Sequence, residues 1–227
     1  ARNLEAVRAR IREAERAVGR AEGSVKLLPV SKYHPLEAVQ AVADLGVDLV
    51  GENREQEARE KAARLRGCGI AMIGQIQTKK ANAVARWASE VHSLDSVRLA
   101  HGLDSGMALA LERGDRASAT LPCFIQVSMD GDASRGGVGK GDVEKLVHAV
   151  EEATHLELTG FMVVPPLDAD AARVFSEVRL LVDDYAERLG RPMTFSAGMS
   201  GDFEQAIACG SDMVRVGTAV FGPRPVV

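Results

Sequence analysis

Short apolar runs alternate with helical patterns along almost the whole chain, and this alternation restricts the fold more than any other feature. The runs lie at 26–31, 47–51, 70–74, 90–94, 121–128, 156–164, 193–196 and 212–217. Between them, apolar spacing predicts helices at 35–45, 53–66, 78–88, 96–113, 142–153, 168–190 and 202–209. A leading helix is predicted over 2–20, with Leu4, Val7, Ile11 and Val18 on one face. Strands separated by helices pair in parallel, because each return has to cross over the sheet. Eight such units in 227 residues predict an α/β fold, a single (β/α)8 TIM-type barrel with an extra N-terminal helix, read as one domain over 1–227. The alternative, a doubly wound open sheet, lacks its usual GxGxxG turn after the first strand.

Composition removes several function classes. The net charge is −4, so there is no basic field to attract a nucleic-acid backbone. Cys68, Cys123 and Cys209 are scattered and form no CxxC, and no histidines fall in HExxH spacing, which argues against a disulfide framework and a metal site. No apolar run approaches the roughly 20 residues of a membrane span, and no signal-peptide pattern opens the chain. The expectation is a cytoplasmic protein with reduced thiols and no membrane or nucleic-acid partner.

In a barrel, active sites sit at the C-terminal ends of the strands, so the residues closing each apolar run carry the information. Leu28, Val30 and Lys32 share one face of the first strand by its period of two. If that face points inward, Lys32 tops an apolar column, where burial disfavours the ammonium form; a neutral amine is what attack on an aldehyde requires. The plain alternative is a strand-end lysine reaching solvent. The segment FSAGMSGD joins a strand end to a helix start, and Ser200, Gly201 and Asp202 supply a hydroxyl, a pliable backbone and an N-cap residue. Arg215 follows within an apolar strand, with Gly217 and Thr218 closing it. Phosphate sites in barrels commonly lie after strands seven and eight, where these two segments fall. An inward Arg215 needs an acceptor, either a carboxylate of a neighbouring strand or a ligand atom. Asn53 reads first as an N-cap, His34 as a surface turn residue before a pocket-lining one, and the mixed charges at 52–66 as a solvated helix face.

The motifs VSKYHP at 30–35, GENREQE at 51–57, IGQIQTKK at 73–80, FIQVSMDGDASRGGV at 124–138 and FSAGMSGDFEQAIACGSDMVRVGTAVFGPR at 195–224 extend over nearly the whole chain. Through them the sequence resembles the pyridoxal-phosphate homeostasis proteins, which are similar to the barrel domain of alanine racemase. The resemblance implies pyridoxal 5′-phosphate (PLP) as cofactor, held by Lys32 as a Schiff base. It implies Ser200, Gly217 and Thr218 as phosphate binders, Arg215 facing the pyridine nitrogen, Asn53 near the ring, and Lys80 at the edge of the site. Ala71, Arg135, Gly136 and the pair Pro165-Pro166 depart from the family pattern.

Three functions follow for comparison. The first is PLP homeostasis, carrying and delivering the cofactor to apo PLP-dependent enzymes, by a monomer without robust turnover. The sequence runs only to residue 227 after the last apolar run, which predicts no second domain over the barrel mouth, and neither Tyr33 nor Tyr185 has the context of an opposing base. The second is a PLP-dependent amino-acid racemase of low selectivity. The third is a barrel that binds a sugar phosphate, with Lys32 as an imine former or ion-pair partner.

Overall fold

The computed structural model describes residues 1–223. Nine strands form one parallel sheet: β1 (Lys26–Pro29), β2 (Leu49–Glu52), β3 (Gly69–Met72), β4 (Glu90–Leu94), β5 (Leu121–Ser128), β6 (Val138–Gly139), β7 (Leu156–Val163), β8 (Thr194–Ser196) and β9 (Met213–Val216). The helices are α1 (Arg2–Ala17), α2 (Leu36–Ala43), α3 (Glu55–Ala62), α4 (Ala81–Trp87), α5 (Val97–Glu112), α6 (Val143–Glu152), α7 (Ala171–Leu189), α8 (Phe203–Ala208) and α9 (Thr218–Phe221). Strand order is β1-β9-β8-β7-β5-β4-β3-β2. The two ends of this path meet where Val30 bridges Gly51 and the Ser31 N–H donates to the Gly51 carbonyl at 3.0 Å. The chain is therefore the predicted α/β barrel of eight parallel strands, nearly closed, with a leading helix.

The short β6 is a strand that apolar runs did not announce. It pairs with the end of β5 through Val127–Val138 and Ser128–Gly139. Two residues carry too little pattern to register as a strand.

Alternation along the strands sorts the core into two layers. Leu28, Ala71, Phe124, Met162 and Met213 pack together inside the barrel. Val214 and Val216, the outward residues of β9, join Leu4, Val7 and Ile11 of α1 and Phe203 and Ile207 of α8. Arg10 lies 4.5 Å over the Phe203 ring and bonds Glu204, which fixes α1 across α8. This helix stops at Ala17, before Gly19 at φ +71°, so Val18 lies outside the helix and is exposed rather than on its apolar face. A larger apolar cluster joins the other face of β4, β5 and β7 to α4–α7 and includes Leu103, Val147, Phe161, Phe175 and Val182.

Candidate functional site

A cavity of about 310 Å³ opens at the C-terminal end of the barrel. Its wall contains Lys32, Asn53, Ser200, Arg215, Gly217 and Thr218, all residues that the sequence points to, together with His34 and the apolar Val30, Ile73, Met162 and Val164. The volume is at the lower end of the range of small-molecule sites, about 300–1,000 Å³. A larger cavity of about 580 Å³ lies under α1 at the opposite end of the barrel, away from these residues.

Lys32 enters the cavity by strand period. Leu28 belongs to the inner cluster, and Val30 and Lys32 continue that face into the cavity wall. Lys32 is half-buried. The next residue, Tyr33, has φ +67°, the one positive-φ non-glycine among the described residues. That backbone costs an L-residue roughly 1–2 kcal/mol, and its N–H is held by Glu57 Oε1 at 2.7 Å.

Arg215 is 4% exposed. Its guanidinium donates to Ser196 Oγ at 2.8 Å and to the Val163 carbonyl at 2.9 Å. No carboxylate lies within ion-pair distance of it among the described residues, so of the two acceptors open in the sequence reading, the carboxylate is not used. Burial pushes its pKa down to about 10, and Asp202 acts in the opposite direction. At neutral pH it remains a cation at the cavity wall.

Across the cavity, the loop before α8 and the start of α9 form a cup. Asp202 Oδ1 accepts the Met199 N–H at 2.6 Å instead of capping α8. The Asp202 and Phe203 N–H groups both turn to the Met199 carbonyl, at 3.1 and 2.9 Å. The N–H groups of Ser200, Gly201 and Thr218 have no protein acceptor among the described residues. Free N–H groups and hydroxyls beside a cation are the donor set a phosphate takes. The residues present thus fit a phosphorylated carbonyl compound, with the amine and the cup on one cavity.

Several expectations change. His34 is buried, stacked 5.1 Å from Phe221, and part of the cavity wall, not a surface turn residue. Burial and the nearby Lys61 cation lower its pKa, which favours the neutral imidazole. Asn53 is not an N-cap; Arg54 holds that position before α3, and no side chain caps it. The 52–66 segment is not wholly solvated, because Glu52 and Lys61 are buried and bonded to each other. Apolar partners would have marked such a position in sequence; two opposite charges look like surface. Lys80 pairs with Glu55 at 3.1 Å and stands outside the cavity wall.

The far rim is fastened by Arg135, which donates to the Val164 and Pro165 carbonyls and pairs with Asp130 at 2.8 Å. Asp95 bonds Gln75 and the backbone of Gly137, and burial raises its pKa. Neither tyrosine lines the cavity: Tyr185 of α7 packs 5.2 Å from Phe161 of β7, and the Tyr33 ring faces Arg54. Among the described residues, no group of three or more His, Cys, Asp or Glu is arranged to hold a metal ion, and no helix is long and apolar enough to cross a membrane.

Fold and site together define an α/β barrel of the alanine racemase N-terminal-domain class, and the family model of that domain matches residues 3–225. The solved alanine racemase of Corynebacterium glutamicum shares the fold at TM-score 0.67 and 19% identity, over 99% of this chain and 62% of that one. Nearer relatives narrow the class. The pyridoxal phosphate homeostasis protein of Corynebacterium glutamicum is 53% identical over 91% of this chain and 94% of its own length. That of Escherichia coli is 34% identical over 99% and 96%. PipY of Synechococcus elongatus, solved with PLP bound, has a TM-score of 0.78 and 29% identity over 93% of this chain and all of that one. The chain belongs to the pyridoxal phosphate homeostasis protein family.

Proposed function

We propose that this chain binds PLP as a Schiff base on Lys32 and serves intracellular PLP homeostasis as a carrier without robust turnover. One observation carries the reading: a lysine amine, a buried arginine and a cup of free N–H groups and hydroxyls share the wall of a single cavity. Bound there, PLP supplies an aldehyde carbon to an amine and an aromatic ring that withdraws electrons from it.

The protein's own groups divide the work. The Lys32 amine bonds the aldehyde carbon with loss of water. The hydroxyls of Ser200 and Thr218, with the Gly217 backbone, hold the phosphate. Asn53 stands beside the ring. Arg215 offers N–H donors toward the ring nitrogen; a cation in that place leaves the nitrogen unprotonated and the ring a weaker electron acceptor than a carboxylate would. Neither tyrosine reaches the cavity to move a proton from the opposite face.

The test is sodium borohydride reduction of the PLP-loaded protein, peptide mapping, and a transfer assay to an apo PLP-dependent enzyme. A pyridoxyl group on Lys32 and transfer faster than from free PLP at equal concentration support the carrier. Label on another lysine with Lys32 free rejects it. One observation favours a second reading, the low-selectivity racemase: His34, a titratable imidazole, lines the cavity. Sustained α-proton exchange with several amino acids in heavy water, at enzyme-like rates, would select that reading instead.

A further inference from the structure

The barrel closes at a short seam beside Lys32. There β1 and β2 meet through the single Val30–Gly51 bridge and the Ser31-to-Gly51 hydrogen bond. Above that seam sits a buried polar cluster. Ser31 and Glu52 have no exposed surface and Lys61 is 6% exposed. The Lys61 ammonium donates to the Ser31 carbonyl at 2.9 Å, to Glu52 Oε1 at 2.5 Å and to Glu57 Oε1 at 2.8 Å. Ser31 Oγ donates to Glu52 Oε1 at 2.5 Å. Glu57 Oε1 also accepts the Tyr33 N–H at 2.7 Å.

The two chain neighbours of Lys32 are thus tied to one ammonium group. Ser31 is held by its carbonyl and, through Glu52, by its hydroxyl. Tyr33 is held by its N–H in a backbone conformation that it would not adopt unaided. Burying such ions is costly, and apolar replacements are often as stable or more so. A geometry that must be kept, rather than stability, is what this arrangement provides. The backbone of residues 31–33 sets where the Lys32 side chain starts and which way it leaves the strand end.

We infer that Lys61, with Glu52 and Glu57, is a positioning group that aims the Lys32 amine into the cavity. This rests on the proposed PLP reading and adds to it a residue that lies outside the cavity wall. Lys61 acts through Ser31 and Tyr33, and its Nζ is engaged by three acceptors outside the cavity wall.

The experiment compares two ligands. PLP reads both the phosphate cup and the lysine link, whereas pyridoxine 5′-phosphate, with a hydroxymethyl group in place of the aldehyde, reads the cup alone. Affinities for both, and borohydride-trapped label on Lys32, are measured for wild type, Glu57→Gln and Lys61→Met, with circular dichroism melting as the folding control. Glu57→Gln changes a partly exposed residue and remains informative if Lys61→Met does not fold. The expected result is a loss of PLP affinity and of Lys32 label by about tenfold or more, since small misplacements of a reacting group are costly, while pyridoxine 5′-phosphate affinity is retained. Lys61→Arg should recover part of the label. Equal weakening of both ligands shows a merely structural cluster and overturns the inference, as does a Glu57→Gln protein with unchanged label. A wild-type protein that traps no label on Lys32 overturns the PLP reading, and this inference with it.

Discussion

Leu28 and Arg215 are Cα partners across the β1–β9 ladder. From this register the inward face of β1 leads on to Lys32 and the inward face of β9 leads on to Gly217, so adjacent strands deliver the amine and the proposed phosphate cup to one cavity. The two functions are therefore separable. Lys32→Ala should abolish borohydride-trapped cofactor while leaving measurable, phosphate-dependent PLP affinity by equilibrium dialysis. Complete loss of affinity for PLP and pyridoxine 5′-phosphate alike would show that the cup does not bind independently.

Ser200→Ala and Thr218→Val each remove one hydroxyl from the cup. A hydrogen bond to a charged group contributes about 1.5–3 kcal/mol, so each variant should bind PLP roughly ten- to a hundredfold more weakly. Pyridoxal, which lacks the phosphate, should be held as by wild type. Equal losses for the two vitamers would place both hydroxyls away from the phosphate.

Arg215→Glu removes the donors to Val163 and Ser196 and sets a carboxylate against a carbonyl. Breaking a buried charged arrangement in this way costs about 3–5 kcal/mol, visible as a lower unfolding midpoint. In the population that keeps bound PLP, judged first by its visible spectrum, α-proton exchange of amino acids in heavy water should rise above wild type. Retained cofactor with unchanged exchange would refute the assignment of Arg215 to the ring nitrogen.

Gly74 is confined by the β2 strand end. A Cβ there would lie 2.0 Å from the Asn53 carbonyl oxygen, so the backbone must shift to admit one. Gly74→Ala should lower stability by about 1–3 kcal/mol through overpacking, and it should weaken PLP retention because Asn53 is displaced. A melting curve and a dialysis measurement on the same preparation check both effects.

Burial raises the Glu52 pKa, while Lys61 and Ser31 pull it down. Lys61→Met removes the larger of those opposing contributions, so the folded-state pKa rises further. A carboxyl group with a raised folded pKa supports the fold below its unfolded value, about 4.3, and that support is lost as pH rises through the folded value. Denaturant titrations of Lys61→Met should therefore show its deficit against wild type growing from pH 5 to pH 8. A deficit independent of pH would mean that Glu52 does not titrate in the variant.

The barrel was legible because its strands keep a period of two and its helices a period near 3.6. Leu28, Val30 and Lys32 announce an inward column, and Met213, Arg215 and Gly217 announce a second. What escaped depends on contacts between distant segments. The burial of Lys61 follows from Ser31 and Glu52 meeting at the barrel seam, and nothing local to α3 distinguishes it from a surface lysine. His34 is covered by Phe221, nearly the full chain length away. Tyr33 adopts a glycine-like backbone without being glycine, so composition gives no sign of the turn. The strand β6 exists only because residues 138 and 139 fold back to β5.

The Arg135 fastening has a consequence for traffic. Its guanidinium bonds two successive carbonyls, Val164 and Pro165, and Val164 is itself part of the cavity wall. A molecule leaving on that side would have to break both bonds and displace a proline-stiffened segment. The opposite margin is formed by exposed Met199, Gly201 and Thr218, and the Gly201 and Thr218 N–H groups there have no protein acceptor among the described residues. In the proposed carrier, the phosphate of a bound PLP would thus lie at the exposed margin of the cavity.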